Sequence, residues 1–255
     1  MTNATRQLDT TDLEARVKSM YEQVALDPYQ DFHFETGRPL AERLGYPAAD
    51  LDVIPTESID SFAGVGYFLD LAALAAGETV LDLGSGSGMD SFLAALTVGP
   101  SGTVVGVDMT TAQLDKARRL ASEHVEFRHG YIEEPPVETG SVDCVISNGV
   151  INLAADKHRV FDAAARALRP GGRLAIADIV TAVQLPEGVT CDAALWAACI
   201  GGAMQSDRYR ETIEAAGFHV DTLRENTAYR FVSDRATDAT TKYGVTSISL
   251  LAHRT

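Results

Sequence analysis

The sequence predicts an α/β protein in which a folded N-terminal cap precedes a mainly parallel β-sheet. After Gly77, short apolar runs alternate with amphipathic stretches, a pattern typical of strands joined by crossover helices. A glycine-rich turn follows the first run, at the strand end where such sheets bind ligands. The 255 residues, 45% of them hydrophobic, are sufficient for one domain of this kind with an extension.

The cap is predicted over residues 1–71. A capping box, Thr11-Asp12-Leu13-Glu14, predicts the start of a helix that ends before Pro28. Between Tyr29 and Phe68, glycines and prolines interrupt the pattern, and aromatic residues lie between them. Because disordered segments contain few aromatic residues, we expect this stretch to fold and to close over a substrate site.

Seven apolar runs after the cap are predicted to be strands. They cover residues 79–83, 102–108, 125–130, 142–148, 173–180, 219–225 and 243–254. Helices are predicted over residues 90–98, 110–123, 157–168 and 208–218. Pro170, Gly171 and Gly172 predict a turn before the fifth strand. Strands separated by helices imply right-handed crossovers and a parallel sheet.

Charge and composition argue against several kinds of partner. The chain has 21 Lys and Arg against 36 Asp and Glu, and its net charge of −15 repels nucleic-acid phosphates and anionic lipid. A polar N-terminus, and no run near the ~20 apolar residues that span a bilayer, predict a soluble, cytoplasmic protein. Its three cysteines, Cys144, Cys191 and Cys199, include no close pair, so no disulfide framework is expected.

The glycine-rich turn, within "VLDLGSGSGMD" (80–90), predicts a nucleoside-binding site. Its three glycines let a ligand approach the backbone, and Asp108, at the end of the next strand, is placed to bind ribose hydroxyls. A nicotinamide-dependent oxidoreductase is the alternative, but its G-x-G-x-x-G spacing is not matched. Asp82 before the turn would repel a diphosphate and attract a cation. S-adenosylmethionine, which is cationic and lacks phosphate, fits these features.

The turn and four later stretches resemble, in order, the motifs of class I S-adenosylmethionine-dependent methyltransferases. The later stretches are Asp108-Met109, "HGYIEEPP" (129–136), "VDCVISNGVINL" (142–153) and "LRPGGRLAIAD" (168–178). The resemblance covers residues 72–255 and implies a Rossmann-like fold, with a seven-stranded sheet, a C-terminal antiparallel hairpin and a substrate-facing insertion near 181–207. The cofactor-binding residues that it implies are Asp82, Gly84, Ser85, Gly86, Gly88, Asp108, Met109, Ile132, Glu133 and Asn148.

Three stretches, residues 81–110, 147–161 and "CIGGA" (199–203), resemble more closely one family within this class, the arsenite methyltransferases. That family holds trivalent arsenic on several thiolates, but Val65 and Gly149 stand at two of the thiol positions and only Cys199 remains. The sequence therefore predicts methyl transfer to a small organic molecule, with Gly149 opening space beside the methyl group where the family carries a cysteine. One alternative is a true arsenite methyltransferase that uses Cys199 with Cys191 or Cys144, and another is a non-catalytic protein that binds the cofactor as a sensor.

The candidate catalytic residues are His33 and Cys199. In "DFHFETGRP" (31–39), His33 and Glu35 alternate with two phenylalanines, which in a strand would place both polar side chains on one face. A solvated edge strand is the simpler interpretation of this pattern, and packing is the simpler role for the cysteines. The six histidines lack a metal-ligand spacing, so no metal site is predicted, and the oligomeric state is left open.

Overall fold

The protein forms an eight-stranded sheet with helices around it, so the predicted α/β class is confirmed. The computed structural model describes residues 8–192, 195–196, 200–232 and 234–255, and the side chains of all of these except 234–236. One predicted catalytic residue, Cys199, lies outside the described residues.

The strands begin after the cap. They are β1 (Thr79–Leu83), β2 (Thr103–Asp108), β3 (Val125–His129), β4 (Val142–Asn148), β5 (Leu168–Thr181), β6 (Met204–Gln205), β7 (Phe218–Glu225) and β8 (Val245–Arg254).

The described helices include five in the cap. They are α1 (Thr10–Leu26), α2 (Arg38–Leu44), α3 (Ala48–Leu51), α4 (Thr56–Asp60), α5 (Leu69–Ala72), α6 (Met89–Val98), α7 (Thr111–Leu120), α8 (Lys157–Ala167), α9 (Glu187–Thr190), α10 (Ser206–Ala215) and α11 (Asp234–Tyr243). A 3₁₀ turn spans Ile151–Leu153. None of the helices described combines the length and apolar character that a membrane crossing requires.

The strands follow the order β3-β2-β1-β4-β5-β8-β7. Strands β1 to β5 run parallel, whereas β8 is antiparallel to both β5 and β7. This arrangement confirms the predicted parallel sheet and its C-terminal hairpin. The structure adds β6, which pairs with the end of β5 and brings the strand number to eight. Two residues are too few to give a periodic pattern, so the sequence did not reveal β6.

The predicted turn before the fifth strand lies inside an irregular β5. Val142 pairs with Leu168, but Cys144 pairs with Arg173, so the residues between the two pairs bulge out of the ladder. Gly171 adopts a φ of +75° in this bulge, a conformation that glycine adopts without steric cost.

Helix α1 starts one residue before the predicted capping box. The N-cap is Asp9, whose carboxylate accepts hydrogen bonds from the backbone N–H groups of Thr11 (3.1 Å) and Asp12 (3.0 Å). The assignment of Thr11 as the cap was therefore wrong, because the aspartate upstream already satisfies these donors. The helix ends at Leu26, as predicted from Pro28.

The segment around His33 is not a strand. No strand is assigned in residues 31–36, and the rings of Phe32 and Phe34 stack with centroids 5.5 Å apart. Residues i and i+2 of a strand also share a face, so the stacking alone does not decide the matter, but the backbone of residues 31–36 pairs with no strand and the predicted strand was therefore wrong.

The cap packs against one face of the sheet. Leu40, Phe62 and Phe68 belong to the same buried cluster as Ile146 of β4 and Ala177 of β5. A second buried cluster on the opposite face includes side chains of α8 and α10. The cap therefore covers the carboxyl ends of the central strands, where the sequence places the glycine-rich turn.

Candidate functional site

The glycine-rich turn folds across the ends of β1 and β2. Gly84, Gly86 and Gly88 all have positive φ values, of 75°, 52° and 92°. A Cβ on Gly84 would lie 2.5 Å from a methyl group of Val150, so only glycine fits there. The N–H of Gly86 donates to the carboxylate of Asp108 at 2.9 Å, which joins the turn to the end of β2.

A cavity of about 560 Å³ opens above this turn. Its walls come from the ends of β1, β2 and β4, from α1, and from cap residues 58–64. The volume is within the range typical of sites for small molecules and cofactors, roughly 300–1,000 Å³. Apolar side chains from Leu13, Val17, Met109 and Ile132 line part of it.

Three of the acidic residues that line the cavity, Asp82, Asp90 and Asp108, have pKa values raised by burial. Burial, and then the nearby Asp90 carboxylate, raise the pKa of Asp82 to about 8. Burial also raises the pKa of Asp90 to about 6, although hydrogen bonds from Tyr46 and Asn148 lower it. Burial raises the pKa of Asp108 as well, although hydrogen bonds from the N–H groups of Thr110 and Gly86 to that carboxylate lower it.

The residues present fit a cationic nucleoside. Among the described residues of the wall, Arg159 is the single arginine or lysine, and it is exposed. Buried carboxylates with no facing cation are favourable sites for a positively charged ligand. The hydroxyl of Ser85 is also buried, lines the cavity and has no hydrogen-bond partner in the described chain. A ligand with polar atoms would satisfy it.

Asn148, at the end of β4, fixes one wall of the cavity. Its Oδ1 accepts from the N–H of Val65 at 2.8 Å, and its Nδ2 donates to Asp90 at 3.0 Å. From β8, Ser247 donates to the carbonyl of Val65 at 2.6 Å and Ser249 to that of Tyr67 at 2.9 Å. Residues 62–67, which we call the wall segment, are thus hydrogen-bonded to two strands of the sheet.

Helix α1 covers another side of the cavity through fewer polar contacts. Tyr131 donates to Glu14 at 2.7 Å, and Lys18 donates to the Tyr131 hydroxyl at 2.9 Å. The Gln113 amide donates to the Tyr21 carbonyl at 2.9 Å. The two contacts through Tyr131 are exposed and contribute little free energy, so the polar contacts of the first half of α1 are weaker than those of the wall segment.

Nine of the ten predicted cofactor-binding residues line this one cavity. They are Asp82, Gly84, Ser85, Gly86, Asp108, Met109, Ile132, Glu133 and Asn148. The tenth, Gly88, does not line it but is the N-cap of α6, where a Cβ would lie 2.6 Å from the Phe127 ring. Its lack of a side chain is required for packing.

The predicted catalytic residue His33 lies away from the cavity wall. Its ring packs edge-on against Phe34, with centroids 4.7 Å apart. Glu35, predicted on the same face, forms an ion pair with Arg43. No described residue of 181–207 lines the cavity either, so the substrate-facing role of that segment stays a prediction.

Asp90 and Tyr46 are two residues of the site that were not predicted from the sequence. Asp90 lies in the first turn of α6, two residues past the last glycine of the turn, and lines the cavity. Tyr46, from the cap, donates to its carboxylate at 2.6 Å. A carboxylate placed at a helix N-terminus directly after a glycine turn was an available signal for Asp90. The tyrosine lies 44 residues earlier in the chain, and no local pattern indicates that contact.

Fold and cavity together define a Rossmann-like protein with a site for a cationic nucleoside cofactor. A family model described as "Methyltransferase domain" matches residues 74–217, more than half of the chain. The arsenite methyltransferase of Halobacterium salinarum is 45% identical over 205 residues, which cover 78% of this chain and 52% of that protein. The human arsenite methyltransferase is 39% identical over 152 residues, which cover 54% of this chain and 40% of that protein.

Solved structures agree with these matches. The arsenic(III) S-adenosylmethionine methyltransferase of Chlamydomonas reinhardtii superposes with a TM-score of 0.67 at 32% identity, covering 81% of this chain and 72% of that one. A geranyl diphosphate C-methyltransferase from Streptomyces coelicolor has a TM-score of 0.69 at 18% identity. The match covers 97% of this chain and 100% of that one, so the two proteins share the fold.

The chain belongs to the class I S-adenosylmethionine-dependent methyltransferases, close to the arsenite methyltransferases, and S-adenosylmethionine is its cofactor. It spans about half the length of the Halobacterium protein and less of the human one.

Proposed function

We propose that this protein transfers the methyl group of S-adenosylmethionine to a small organic acceptor and not to arsenite. The observation that carries the proposal is the contact between Val65 and Gly149, which occupy two thiol positions of the arsenite methyltransferase family. A Cβ on Gly149 would lie 3.0 Å from Val65 Cγ1 and 3.8 Å from Val65 Cβ. The isopropyl group of Val65 therefore fills the space beside the Cα atom of Gly149. Neither residue offers the soft sulfur ligand that trivalent arsenic prefers.

This packing corrects one expectation about Gly149. The absence of a side chain there was expected to open space for the acceptor. The contact with Val65 fills that space, and neither residue lines the cavity. The acceptor is therefore placed against the cap residues Phe62, Ala63 and Gly64, which do line it.

The described cysteines do not replace the missing thiols. Cys144 is fully buried in β4, and burial raises its pKa to about 12, so it stays protonated at neutral pH. Cys191 follows α9 and is absent from the cavity wall. These observations favour an organic acceptor over arsenite held by Cys199 with either of them.

We assign the cofactor contacts to the residues of the cavity wall. Asp108 is placed to accept hydrogen bonds from ribose hydroxyls, Met109 and Ile132 to pack on the adenine, and Glu133 to bind its polar edge. Asp82 would face the α-ammonium group. When bound, the cofactor supplies a methyl group on a positively charged sulfur.

The chain's contribution to the reaction is then mainly alignment. The wall segment and α1 exclude water and hold the acceptor in line with the methyl group. Alignment of this kind is worth roughly 7–11 kcal/mol of the barrier. We further propose that residues 1–71 act as the cap of the acceptor site, and that the protein works in the cytoplasm, where thiols such as Cys144 stay reduced.

Isothermal titration calorimetry with S-adenosylmethionine and S-adenosylhomocysteine tests the cofactor assignment. Asp108→Ala should weaken both ligands by roughly 1.5–3 kcal/mol through loss of charge-assisted hydrogen bonds. Asp115→Ala, an exposed acid on α7, is the matched control and should change neither. Equal binding by wild type and Asp108→Ala would contradict the assignment.

Methyl transfer to arsenite in the presence of glutathione tests the substrate proposal. We expect no turnover by the wild type and a gain only when Val65→Cys and Gly149→Cys are combined. Robust turnover by the wild type that disappears in Cys199→Ser would refute the proposal.

A further inference from the structure

Asp90 is held in the cavity wall by neutral hydrogen-bond donors. Asp90 is 7% exposed, and its carboxylate accepts hydrogen bonds from the Tyr46 hydroxyl at 2.6 Å and from Asn148 Nδ2 at 3.0 Å. Asn148 Nδ2 also lies 3.0 Å from the Tyr46 hydroxyl, so the three side chains contact one another. This group, which we call the Tyr46–Asp90–Asn148 cluster, joins the cap to the ends of α6 and β4.

The sheet places this cluster away from Asp108. Asp108, Asp82 and Asn148 lie at or near the carboxyl ends of β2, β1 and β4, which are consecutive neighbours in the sheet. Adjacent strands lie about 4.8 Å apart, so the edge from β2 to β4 is about 10 Å long. A nucleoside whose ribose binds Asp108 directs its remaining groups along this edge towards Asp90.

The electrostatics of the cluster favour a cation beside it. Tyr46 and Asn148 donate hydrogen bonds that stabilise the ionised form of Asp90, and neither supplies a positive charge. Burial raises the pKa of Asp90 to about 6, which still leaves the carboxylate largely ionised at neutral pH. A buried carboxylate with neutral partners interacts strongly with an adjacent positive charge, because little water screens the pair.

We propose that Asp90 is a further cofactor-binding residue that makes the site prefer a positively charged sulfur over a neutral one, with Tyr46 as its positioning residue. This inference rests on the proposed function and extends it. Once the methyl group has been transferred, Asp90 faces a neutral thioether and its attraction for the ligand falls. The site would then release its product more readily than its substrate.

Calorimetric dissociation constants for three ligands isolate the charge at the sulfur position. S-adenosylmethionine has a sulfonium there, sinefungin has a protonated amine, and S-adenosylhomocysteine is neutral. Asp90→Asn should weaken the two cations by about tenfold or more and the neutral ligand by less than about threefold. Tyr46→Phe keeps the Asp90 carboxylate but removes one of its hydrogen-bond donors. It should weaken the binding of the two cations by a smaller factor than Asp90→Asn does, and the binding of the neutral ligand by less again.

Glu14→Gln is the matched control, because Glu14 also lines the cavity but lies on α1. It should shift the three constants by the same factor. Equal weakening of all three ligands in Asp90→Asn would overturn the proposal, since the carboxylate would then bind the shared α-ammonium or only support the wall.

Tyr46→Phe keeps the test decisive if Asp90→Asn fails to fold. An unchanged ratio of the S-adenosylmethionine and S-adenosylhomocysteine constants in Tyr46→Phe would overturn the positioning role. Failure of the wild type to bind any of the three ligands is a different result, which would refute the proposed function itself.

Discussion

Replacing Asp82 by Asn should stabilise the ligand-free protein while weakening its cofactor binding. Burial and the adjacent Asp90 raise the pKa of Asp82 to about 8, whereas an unfolded Asp titrates near 3.9. At pH values between about 4 and about 8, Asp82 is protonated in the folded state and ionised in the unfolded state. Stability must therefore fall as the pH rises from about 4 to about 8.

The size of this effect follows from the pKa difference. Each pKa unit corresponds to about 1.4 kcal/mol, so at pH 7 the folded wild type has lost up to about 4 kcal/mol relative to pH 4. Asn keeps an oxygen that can accept the hydrogen bond from Ser91, which is 2.5 Å from Asp82, and it cannot ionise. Asp82→Asn should recover much of the loss at pH 7 to 8.

Urea unfolding of the ligand-free protein at pH 5.5, 6.5 and 8 measures this effect. The wild-type midpoint should fall across the series, and that of Asp82→Asn should fall by much less, because the smaller contribution of Asp90, with its pKa of about 6, remains. Asp70→Asn is the control, because the ion pair with Arg224 lowers the pKa of Asp70 and keeps it ionised throughout. A wild-type midpoint that does not fall, together with no gain in Asp82→Asn at pH 8, would refute the reasoning.

Two further predictions concern the cap. Gly149→Ala should destabilise the protein by about 1–3 kcal/mol, because φ is +72° and the new Cβ meets Val65, and Val65→Ala in the same chain should restore part of the loss in a double-mutant cycle measured by thermal unfolding. Hydrogen exchange should show α1 becoming protected when S-adenosylhomocysteine is added, while the wall segment is protected already. Equal changes in both regions would contradict the distinction between them.

The strands and the cofactor cavity could be predicted because each depends on local sequence. The apolar runs at 79–83 and 142–148 match β1 and β4 residue for residue, since buried strands in a parallel sheet have continuous apolar patterns. The glycine-rich turn and Asp108 follow successive neighbouring strands, so their meeting at one edge follows from topology.

Contacts between distant parts of the chain could not be predicted in this way. Tyr46 reaches Asp90 and the wall segment reaches Ser247 only after the cap has packed on the sheet, and no periodic pattern records these pairings. Alternation around His33 suggested a strand, but residues 31–36 form none, because a strand also needs a partner strand, which a local pattern does not reveal.

The cap therefore combines a fixed wall with a less firmly held helix. Asn148, Ser247 and Ser249 satisfy backbone groups of the wall segment with side chains from the sheet, so moving that segment would leave buried polar groups unpaired. We expect ligands to exchange more easily beneath the first half of α1, whose polar contacts with Tyr131 are exposed. Because Val65 lies in the fixed part, its contact with Gly149 cannot relax by movement of the cap. We therefore expect a side chain at Gly149 to be accommodated only when Val65 is changed as well.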